Sequence, residues 1–285
     1  MSELQLNTTA IESGASEPAA VATPILELKN LSKSYGSGSQ ATSVLKNINL
    51  RIAEGEFVAI VGFSGSGKTT LISLIAGLIA ADSGAVLLHG KPVEGPGAER
   101  GVVFQSYSLM PWMTVRQNVA LAVDQFFKDT PKAQRAARVE KYVAMVNLTA
   151  AIDQHPAELS GGMQQRVNLA RALATDPEVL LMDEPFAALD AQTREFMQAE
   201  LLKIWTRAGK TVIFITHQID EAVFLADRVV VMGTRPGRLK GEFAIPFARP
   251  RALSIKRDPE FLRLSDEIWS LIEEEAGRIN VVSAS

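Results

Sequence analysis

Short apolar runs, separated by polar and glycine-rich stretches, recur along the chain from residue 25 onward. The run Phe57–Val61 is apolar at every position, which is typical of a strand covered on both faces. Ile48, Leu50 and Ile52 alternate with polar residues and predict a half-buried strand. Further strands are predicted at Ile25–Leu28, Ala85–Leu88, Val102–Phe104, Val179–Met182, Val212–Ile215 and Val229–Met232. Strands interspersed with helical segments predict an α/β fold.

Helical periodicity is concentrated in the middle of the chain and at its end. From Thr114 to about Thr175 the pattern is helical, which predicts a helical insert between the strands of an α/β core. Within it, Thr130-Pro131 predicts an N-cap and a first helical residue for a helix through Val146. Asp258-Pro259-Glu260 predicts the start of a last helix. Its apolar face comprises Phe261, Leu264, Ile268, Leu271 and Ile272.

Composition places the chain among globular proteins. Of its 285 residues, 47% are hydrophobic and 21% charged, which excludes a disordered or fibrous protein. The net charge of -3 gives no sign of nucleic-acid binding. Because there is no cysteine, a disulfide scaffold, a thiolate zinc site and a cysteine nucleophile are excluded. Residues 1–24 are rich in Ala, Ser, Thr and Glu without sustained periodicity, and we expect them to be a flexible tail.

No stretch of the sequence is long enough to cross a bilayer as a helix. The longest uncharged apolar run lies around Leu71–Ala81, within which a helix is predicted over Leu71–Leu78, and it ends at Asp82. A helical span needs about 20 such residues. The first basic residue is Lys29, whereas a signal peptide begins with a basic region. We therefore expect the chain to stay in the cytoplasm.

A glycine-rich loop between a predicted strand and a predicted helix carries the first chemical signal. The residues Gly62, Phe63, Ser64, Gly65, Ser66, Gly67, Lys68 and Thr69, followed by Thr70, fit the phosphate-loop pattern G-x-x-x-x-G-K-[ST]. Glycines let backbone N–H groups converge on phosphate oxygens. Lys68 would neutralise the β- and γ-phosphates, and the Thr69 hydroxyl would bind Mg²⁺. The alternative is a Gly/Ser-rich turn.

Two carboxylates follow an apolar strand later in the chain. Asp183, at the end of the strand, can hold Mg²⁺, and Glu184 can polarise the water that attacks the γ-phosphate. The alternative is a surface acidic pair that caps the next helix.

The segment Leu159–Arg166 reads Leu-Ser-Gly-Gly-Met-Gln-Gln-Arg and precedes a helix. Ser160 and two glycines at a helix N-terminus form a second candidate anion site, without a lysine or metal ligands of its own. Such a site can serve the nucleotide of a partner chain. Taken alone, Ser160 is better explained as an ordinary N-cap.

Together, the phosphate loop, the Asp-Glu pair and this segment resemble the signature of ABC-transporter ATPase subunits, over about residues 25–245. The resemblance implies a P-loop NTPase (RecA-like) core with an N-terminal antiparallel β subdomain. It also implies an inserted helical subdomain at about residues 110–175, and residues 246–285 would be a C-terminal helical extension. ATP and Mg²⁺ are the implied cofactors, and ATP hydrolysis is the implied activity.

Four further positions match the family pattern and take their roles from it. Tyr35 would stack on adenine, although a core tyrosine is the alternative. Gln105 would sense Mg²⁺ and the attacking water, as a metal contact and catalytic residue. His217 would contact the γ-phosphate, and Asp190 would lie in the loop that crosses the dimer interface. Ala187 stands where the family usually has serine or glycine, so a hydroxyl contact is not expected there.

The resemblance implies two chains that sandwich two ATP molecules. Ser160, Gly161, Gly162, Gln164 and Asp190 of each chain would contact the ATP of the other chain, which could be a second copy or a homologous subunit. A separate transmembrane permease, and a periplasmic or lipid-anchored solute-binding protein, are the further implied partners. The subunit would lie at the cytoplasmic face of the cell membrane as a peripheral protein.

Narrower features resemble the importers for nitrate, sulfonate/taurine and bicarbonate. They are Leu109–Val115, Asn118-Val119, Thr234–Arg238, Pro250-Arg251 and Asp258–Phe261. Nitrate is the favoured solute on general similarity around Val102–Val123. Residues 110–113, with Trp112, are a candidate permease-docking surface, or else Trp112 packs against the helical insert. An unrelated solute, export, or a P-loop ATPase outside transport remain alternatives.

Overall fold

The computed structural model of the chain describes residues 24–36 and 41–283, and side chains up to residue 275. The expected tail over residues 1–24 lies outside the described residues except for Pro24. Within these ranges the chain forms two sheets and seven α-helices, in agreement with the predicted α/β fold.

The larger sheet carries the candidate site. Its strands are β3 (Phe57–Val61), β6 (Arg100–Val103), β7 (Val179–Asp183), β8 (Thr211–Ile215), β9 (Arg228–Gly233) and β10 (Arg238–Ala244). Their order is β10-β9-β3-β8-β7-β6, and all but β10 run parallel. The carboxyl ends of the parallel strands therefore meet at one edge, where ligands bind in sheets of this kind.

Burial on both faces explains the unbroken apolar runs. Strands β3, β7 and β8 are buried at every position. Phe57, Ala59 and Val61 face one apolar core, and Val58 and Ile60 face the other. Successive side chains of a strand point to opposite faces, so between two cores the interior positions of a strand are apolar, and the polar residues Asp183 and Thr211 stand at strand ends.

The smaller sheet is antiparallel. Its strands are β1 (Leu26–Tyr35), β2 (Thr42–Ile52), β4 (Ser83–Leu88) and β5 (Lys91–Pro92), in the order β2-β1-β4-β5. The predictions missed β5 and β10 and the polar halves of β1 and β2. Those segments are largely exposed or half-buried, so the hydropathy pattern carries no signal for them.

The helices are α1 (Lys68–Ile75), α2 (Val115–Phe126), α3 (Lys132–Met145), α4 (Gly161–Leu173), α5 (Ala191–Ala208), α6 (Ile219–Leu225) and α7 (Pro259–Ser283). Helices α2, α3 and α4 pack on one another between β6 and β7 in the chain order. The apolar face of α7 contributes Phe261, Leu264, Ile268 and Ile272 to the core. None of the helices in the described ranges has the length and apolar character that a bilayer span requires.

Two predicted helix starts were wrong. Pro131, not Thr130, is the N-cap of α3: its ψ of 140° is extended, and its carbonyl oxygen accepts the N–H of Gln134 at 2.9 Å. Thr130 lies one residue earlier, and its N–H donates to the carbonyl of Phe127 at 3.0 Å. Helix α1 begins at Lys68, three residues before the predicted start, because the polar end of the phosphate-loop motif forms its first turn.

Candidate active site

The phosphate loop joins β3 to α1. Residues 62–67 form the loop, and Lys68, Thr69 and Thr70 form the first turn of the helix. The first N–H groups of a helix have no acceptor within it, so they are available to an anion. Gly67 has a left-handed φ of 88°, and a Cβ there would lie 2.6 Å from Cδ2 of Leu45. Only glycine fits this position without displacing β2.

The Lys68 side chain is directed back toward the backbone of the phosphate loop. It is 6% exposed, and Nζ donates to the carbonyl oxygens of Gly62 (2.8 Å) and Phe63 (3.0 Å). Burial lowers the pKa of the Lys68 ammonium, and the nearby carboxylates of Glu184 and Asp183 oppose that shift. A buried cation beside the first N–H groups of a helix, which have no acceptor within it, suits the negative charge of a polyphosphate.

Asp183 lies at the end of β7, beside the first turn of α1. Burial raises the pKa of this carboxyl group, although the hydrogen bond with the Thr69 side chain lowers it. Asp183 and Gln105 line one open cleft. A carboxylate, a hydroxyl and an amide oxygen are ligands that Mg²⁺ accepts together with water and phosphate oxygens. In residues 24–36 and 41–283, no group of three His, Asp or Glu side chains could hold a metal ion. Mg²⁺ in this cleft would therefore also need water and phosphate oxygens as ligands.

Glu184 and His217 meet although 33 positions separate them in the sequence. Oε2 of Glu184 lies 3.1 Å from Nδ1 of His217. The N–H of Glu184 donates to the carbonyl of Ile215 at 3.0 Å, which ties the end of β7 to the end of β8. Glu184 has a φ of 44°, a left-handed conformation that non-glycine residues adopt rarely and often at functional sites. The next helix is capped by Asp190, so the pair is not the surface cap of the alternative hypothesis.

A buried network behind His217 was not foreseen from the sequence. The Thr216 hydroxyl donates to Oε2 of Glu221 and accepts from the N–H of Gln218 at 3.0 Å. Nε2 of Gln198 donates to Oε1 of Glu221 at 3.0 Å. Burial raises the pKa of Glu221, although the hydrogen bonds from Thr216 and Gln198 lower it. The one signal in the sequence for this network was Glu221 itself, an acidic residue directly before the apolar stretch 222–226.

The segment 160–164 lies at the start of α4. Ser160 is its N-cap, with Oγ accepting the N–H of Met163 at 3.4 Å. Nε2 of Gln164 donates to the carbonyl of Pro156 at 2.9 Å. A Cβ on Gly162 would lie 3.0 Å from the Thr193 methyl group, so α4 and α5 approach closely here.

Asp190 and Tyr35 lie at the edges of the site. Asp190 caps α5 through a 2.9 Å hydrogen bond from the N–H of Thr193. The Tyr35 ring is 47% exposed at the end of β1, opposite Thr42, so it is not a core tyrosine. Trp112 is 70% exposed, so it does not pack into the helical insert. Among the described residues, no hydrogen bond joins residues 160–164 or Asp190 to the phosphate loop.

Comparison with known proteins identifies the family of the chain. Residues 45–187 match the ABC transporter family. An uncharacterized ABC transporter ATP-binding protein of Methanocaldococcus jannaschii is 51% identical over 88% of this chain and 92% of its own. The bicarbonate transport ATP-binding protein CmpD of Synechocystis is 47% identical, over 85% of this chain and 86% of its own. The nitrate import ATP-binding protein NrtD of Synechocystis is also 47% identical, over 87% and 94%.

Solved structures share the fold. An ATP-binding cassette in a dimeric post-hydrolysis state with ADP and Pi has a TM-score of 0.68 and 33% identity, over 78% of this chain and all of that one. CbiO1 of Clostridium perfringens, part of the ABC transporter complex cbiONQ, has a TM-score of 0.72 and 28% identity, over 85% and 94%. The chain belongs to the ABC transporter family, as an ATP-binding subunit that hydrolyses ATP to ADP and phosphate.

Proposed function

We propose that this chain powers the import of a small anion, nitrate first and bicarbonate or sulfonate/taurine next, through a separate membrane permease. The observation that carries the proposal is the 47% identity, over most of both chains, with the bicarbonate and nitrate subunits. Such a subunit lies at the cytoplasmic face of the membrane, and a periplasmic or lipid-anchored solute-binding protein delivers the anion. The exposed Trp112 is the candidate contact with the permease.

The nucleotide site supports a division of roles among its residues. The loop N–H groups and Lys68 bind the β- and γ-phosphates, and the exposed ring of Tyr35 stacks on adenine. Thr69, Asp183 and Gln105 hold Mg²⁺. When bound, Mg²⁺ neutralises charge on the phosphate oxygens.

The Glu184–His217 pair carries out the chemical step. Glu184 orients the attacking water and accepts its proton, and His217 contacts the γ-phosphate. The 3.1 Å contact holds the two side chains next to each other at the strand ends. The site works by positioning and by charge, which is how phosphoryl transfer is generally accelerated.

Two chains complete each other's sites in this proposal. Ser160, Gly161, Gly162, Gln164 and Asp190 of one chain contact the ATP bound by its partner. Two observations support this proposal. In the described structure no hydrogen bond joins the N-terminus of α4 to the phosphate loop of the same chain, and a related cassette was solved as a dimer. ATP thereby becomes part of the interface, and hydrolysis reopens it.

Growth of a deletion strain tests the transport proposal. The gene is deleted and restored with wild type or with Glu184→Gln. Each strain is grown with nitrate as sole nitrogen source, with limiting inorganic carbon, and with taurine as sole sulfur source. Loss on one medium, restored by wild type and not by Glu184→Gln, identifies the anion. Wild-type growth of the deletion strain on all three media, with no homologous system present, would contradict anion import.

A further inference from the structure

Residues 234–238, the turn between β9 and β10 with the first residue of β10, have no part in the proposed function, yet they lie against the nucleotide site. Their sequence is Thr-Arg-Pro-Gly-Arg. The N–H of Gly237 donates to the carbonyl of Val44 at 2.8 Å, and the N–H of Lys46 donates to the carbonyl of Gly237 at 3.0 Å. The turn therefore pairs with the part of β2 that packs against Gly67 of the phosphate loop.

The turn and the end of β9 also touch the loop directly. A Cβ on Gly237 would overlap the carbonyl oxygen of Ser66 and lie 2.9 Å from Cδ2 of Leu45. At the other end of the loop, a Cβ on Gly62 would lie 2.5 Å from the carbonyl oxygen of Met232. The backbone of the phosphate loop thus contacts residues 232–237 at two points. Neither contact leaves room for a side chain on the glycine.

Glu275 of helix α7 ties this turn to the C-terminal helix. It is 4% exposed, and Oε2 accepts the N–H of Thr234 at 3.3 Å. The same carboxylate forms ion pairs with Arg238, at 3.5 Å, and with Lys240. A buried carboxylate is stable only with such partners, and these lie at both ends of the turn. The position of the turn therefore depends on α7.

Helix α7 has its own attachment to the core. Phe261, Leu264 and Ile268 are buried in the apolar core on the preceding turns of the helix. Glu275 is therefore held in place by packing that does not involve the turn. Contacts therefore connect the core to α7, Glu275 of α7 to the turn, and the turn to the phosphate loop.

We propose that Gly237 and Glu275 are positioning residues for the phosphate loop, through which the C-terminal helix sets the affinity of the site for ATP. The inference rests on ATP binding by the loop and not on the identity of the transported solute. Coupling of this kind is reciprocal: if α7 holds the loop in its binding geometry, bound ATP must in turn steady the turn and α7.

Two variants with matched controls test the affinity. Gly237→Ala forces the Ser66 carbonyl to move, and Glu275→Gln removes the charge that holds Arg238 and Lys240. We expect each to weaken ATP binding about tenfold or more in equilibrium titrations, equivalent to roughly 1.4 kcal/mol. Gly95→Ala, at a glycine with open space around its Cβ, and Glu274→Gln, at an exposed neighbour, should change the affinity less than about twofold.

Hydrogen exchange of the wild-type protein gives a second readout that does not depend on variants folding. Addition of ATP should slow amide exchange in residues 234–240 and in α7 around Ile268–Glu275, as well as in the loop. Wild-type ATP affinity in folded Gly237→Ala and Glu275→Gln, or protection confined to the phosphate loop, would overturn the proposal. Either result would leave ATP hydrolysis and anion import untouched.

Discussion

Asp183 and Glu184 are adjacent carboxylates in different environments. Asp183, the last residue of β7, is buried beside Thr69, and its pKa is raised by that burial. Glu184 turns out of the strand through its left-handed φ and faces His217. Carboxylates whose environments differ can take different roles. Asp183 suits the role of metal ligand, and Glu184 suits that of base.

Replacement of Glu184 isolates the chemical step. We expect Glu184→Gln to bind ATP with an affinity within about twofold of wild type, because in the described structure the side chain of Glu184 hydrogen-bonds to His217 and its N–H to Ile215, and not to the loop. Hydrolysis should fall roughly 10²–10⁴-fold, the usual contribution of a general base. Glu178→Gln, at an exposed glutamate just before the same strand, is the control and should hydrolyse ATP normally. Turnover of Glu184→Gln near the wild-type rate would remove Glu184 from the role of base.

Asp183→Asn should lower activity and raise stability together. In the folded protein the pKa of Asp183 is raised, so its ionised form is less favourable there than in the unfolded chain. Its contribution to stability is therefore largest at acidic pH and declines as the pH rises through the raised pKa. Asparagine stays neutral, so the variant should unfold at a higher temperature than wild type at neutral pH, without nucleotide or Mg²⁺.

Scanning calorimetry at several pH values checks this prediction. A gain of 1 kcal/mol would raise the midpoint by roughly 2–4 °C for a protein of this size, and the gain should vanish at acidic pH. ATP hydrolysis with Mg²⁺ should fall at least about 100-fold. A variant that unfolds earlier than wild type at neutral pH would contradict the effect of burial on this carboxyl group.

At the scale of elements, the buried carboxylate of Glu221 connects its own helix α6 to α5 and to the end of β8. It accepts hydrogen bonds from Thr216, beside His217, and from Gln198 of α5. Helix α5 is capped by Asp190, a residue of the proposed dimer interface. The network therefore links the histidine that is proposed to contact the γ-phosphate to the helix that is proposed to meet the partner chain.

Truncation of Glu221 should affect the rate more than binding. Glu221→Ala leaves the Thr216 hydroxyl and the Gln198 amide without their acceptor, at a cost to folding stability of about 1–3 kcal/mol for each group. We expect kcat to fall about tenfold while the ATP affinity stays within about twofold. Glu221→Gln keeps an acceptor and should retain most of the activity. Asp220→Ala, at the exposed neighbour, is the control, and an unchanged kcat in Glu221→Ala would rule out a positioning role.

At the scale of the whole molecule, the phosphate loop and the segment 160–164 are separate parts of one chain. Ser160 is exposed at the N-terminus of α4, and no hydrogen bond in the described structure connects it to the loop. A dimer would bring the segment of one chain to the nucleotide of the other. In that proposed arrangement, ATP hydrolysis would depend on association.

A charge at Ser160 tests this dependence without loss of the helix cap. Aspartate is as good an N-cap as serine, so Ser160→Asp should fold normally. Its negative charge would face the phosphates of the partner's ATP, and we expect hydrolysis to fall more than about tenfold. In a Glu184→Gln background, light scattering should show an ATP-dependent dimer that Ser160→Asp abolishes and Ser160→Asn, a neutral cap, retains. Dimerisation of the aspartate variant would contradict the shared site.

The sequence by itself determined the elements whose chemistry is local. The central strands were predicted because burial on both faces demands unbroken apolar runs such as Phe57–Val61. The phosphate loop was recognisable because its glycines and lysine are contiguous. The N-cap of α3, Pro131, was missed by one residue because capping depends on a backbone torsion that hydropathy does not encode.

Only the tertiary structure decided which distant residues meet. The contacts of Glu184 with His217, of Thr216 with Glu221, of Thr234 with Glu275 and of Gly237 with Ser66 join residues 5 to 171 positions apart. Such contacts depend on strand order and on the depth of burial. Polar residues such as Glu221 and Glu275 look like surface residues in the sequence, because burial of a paired carboxylate is a property of its neighbours in space.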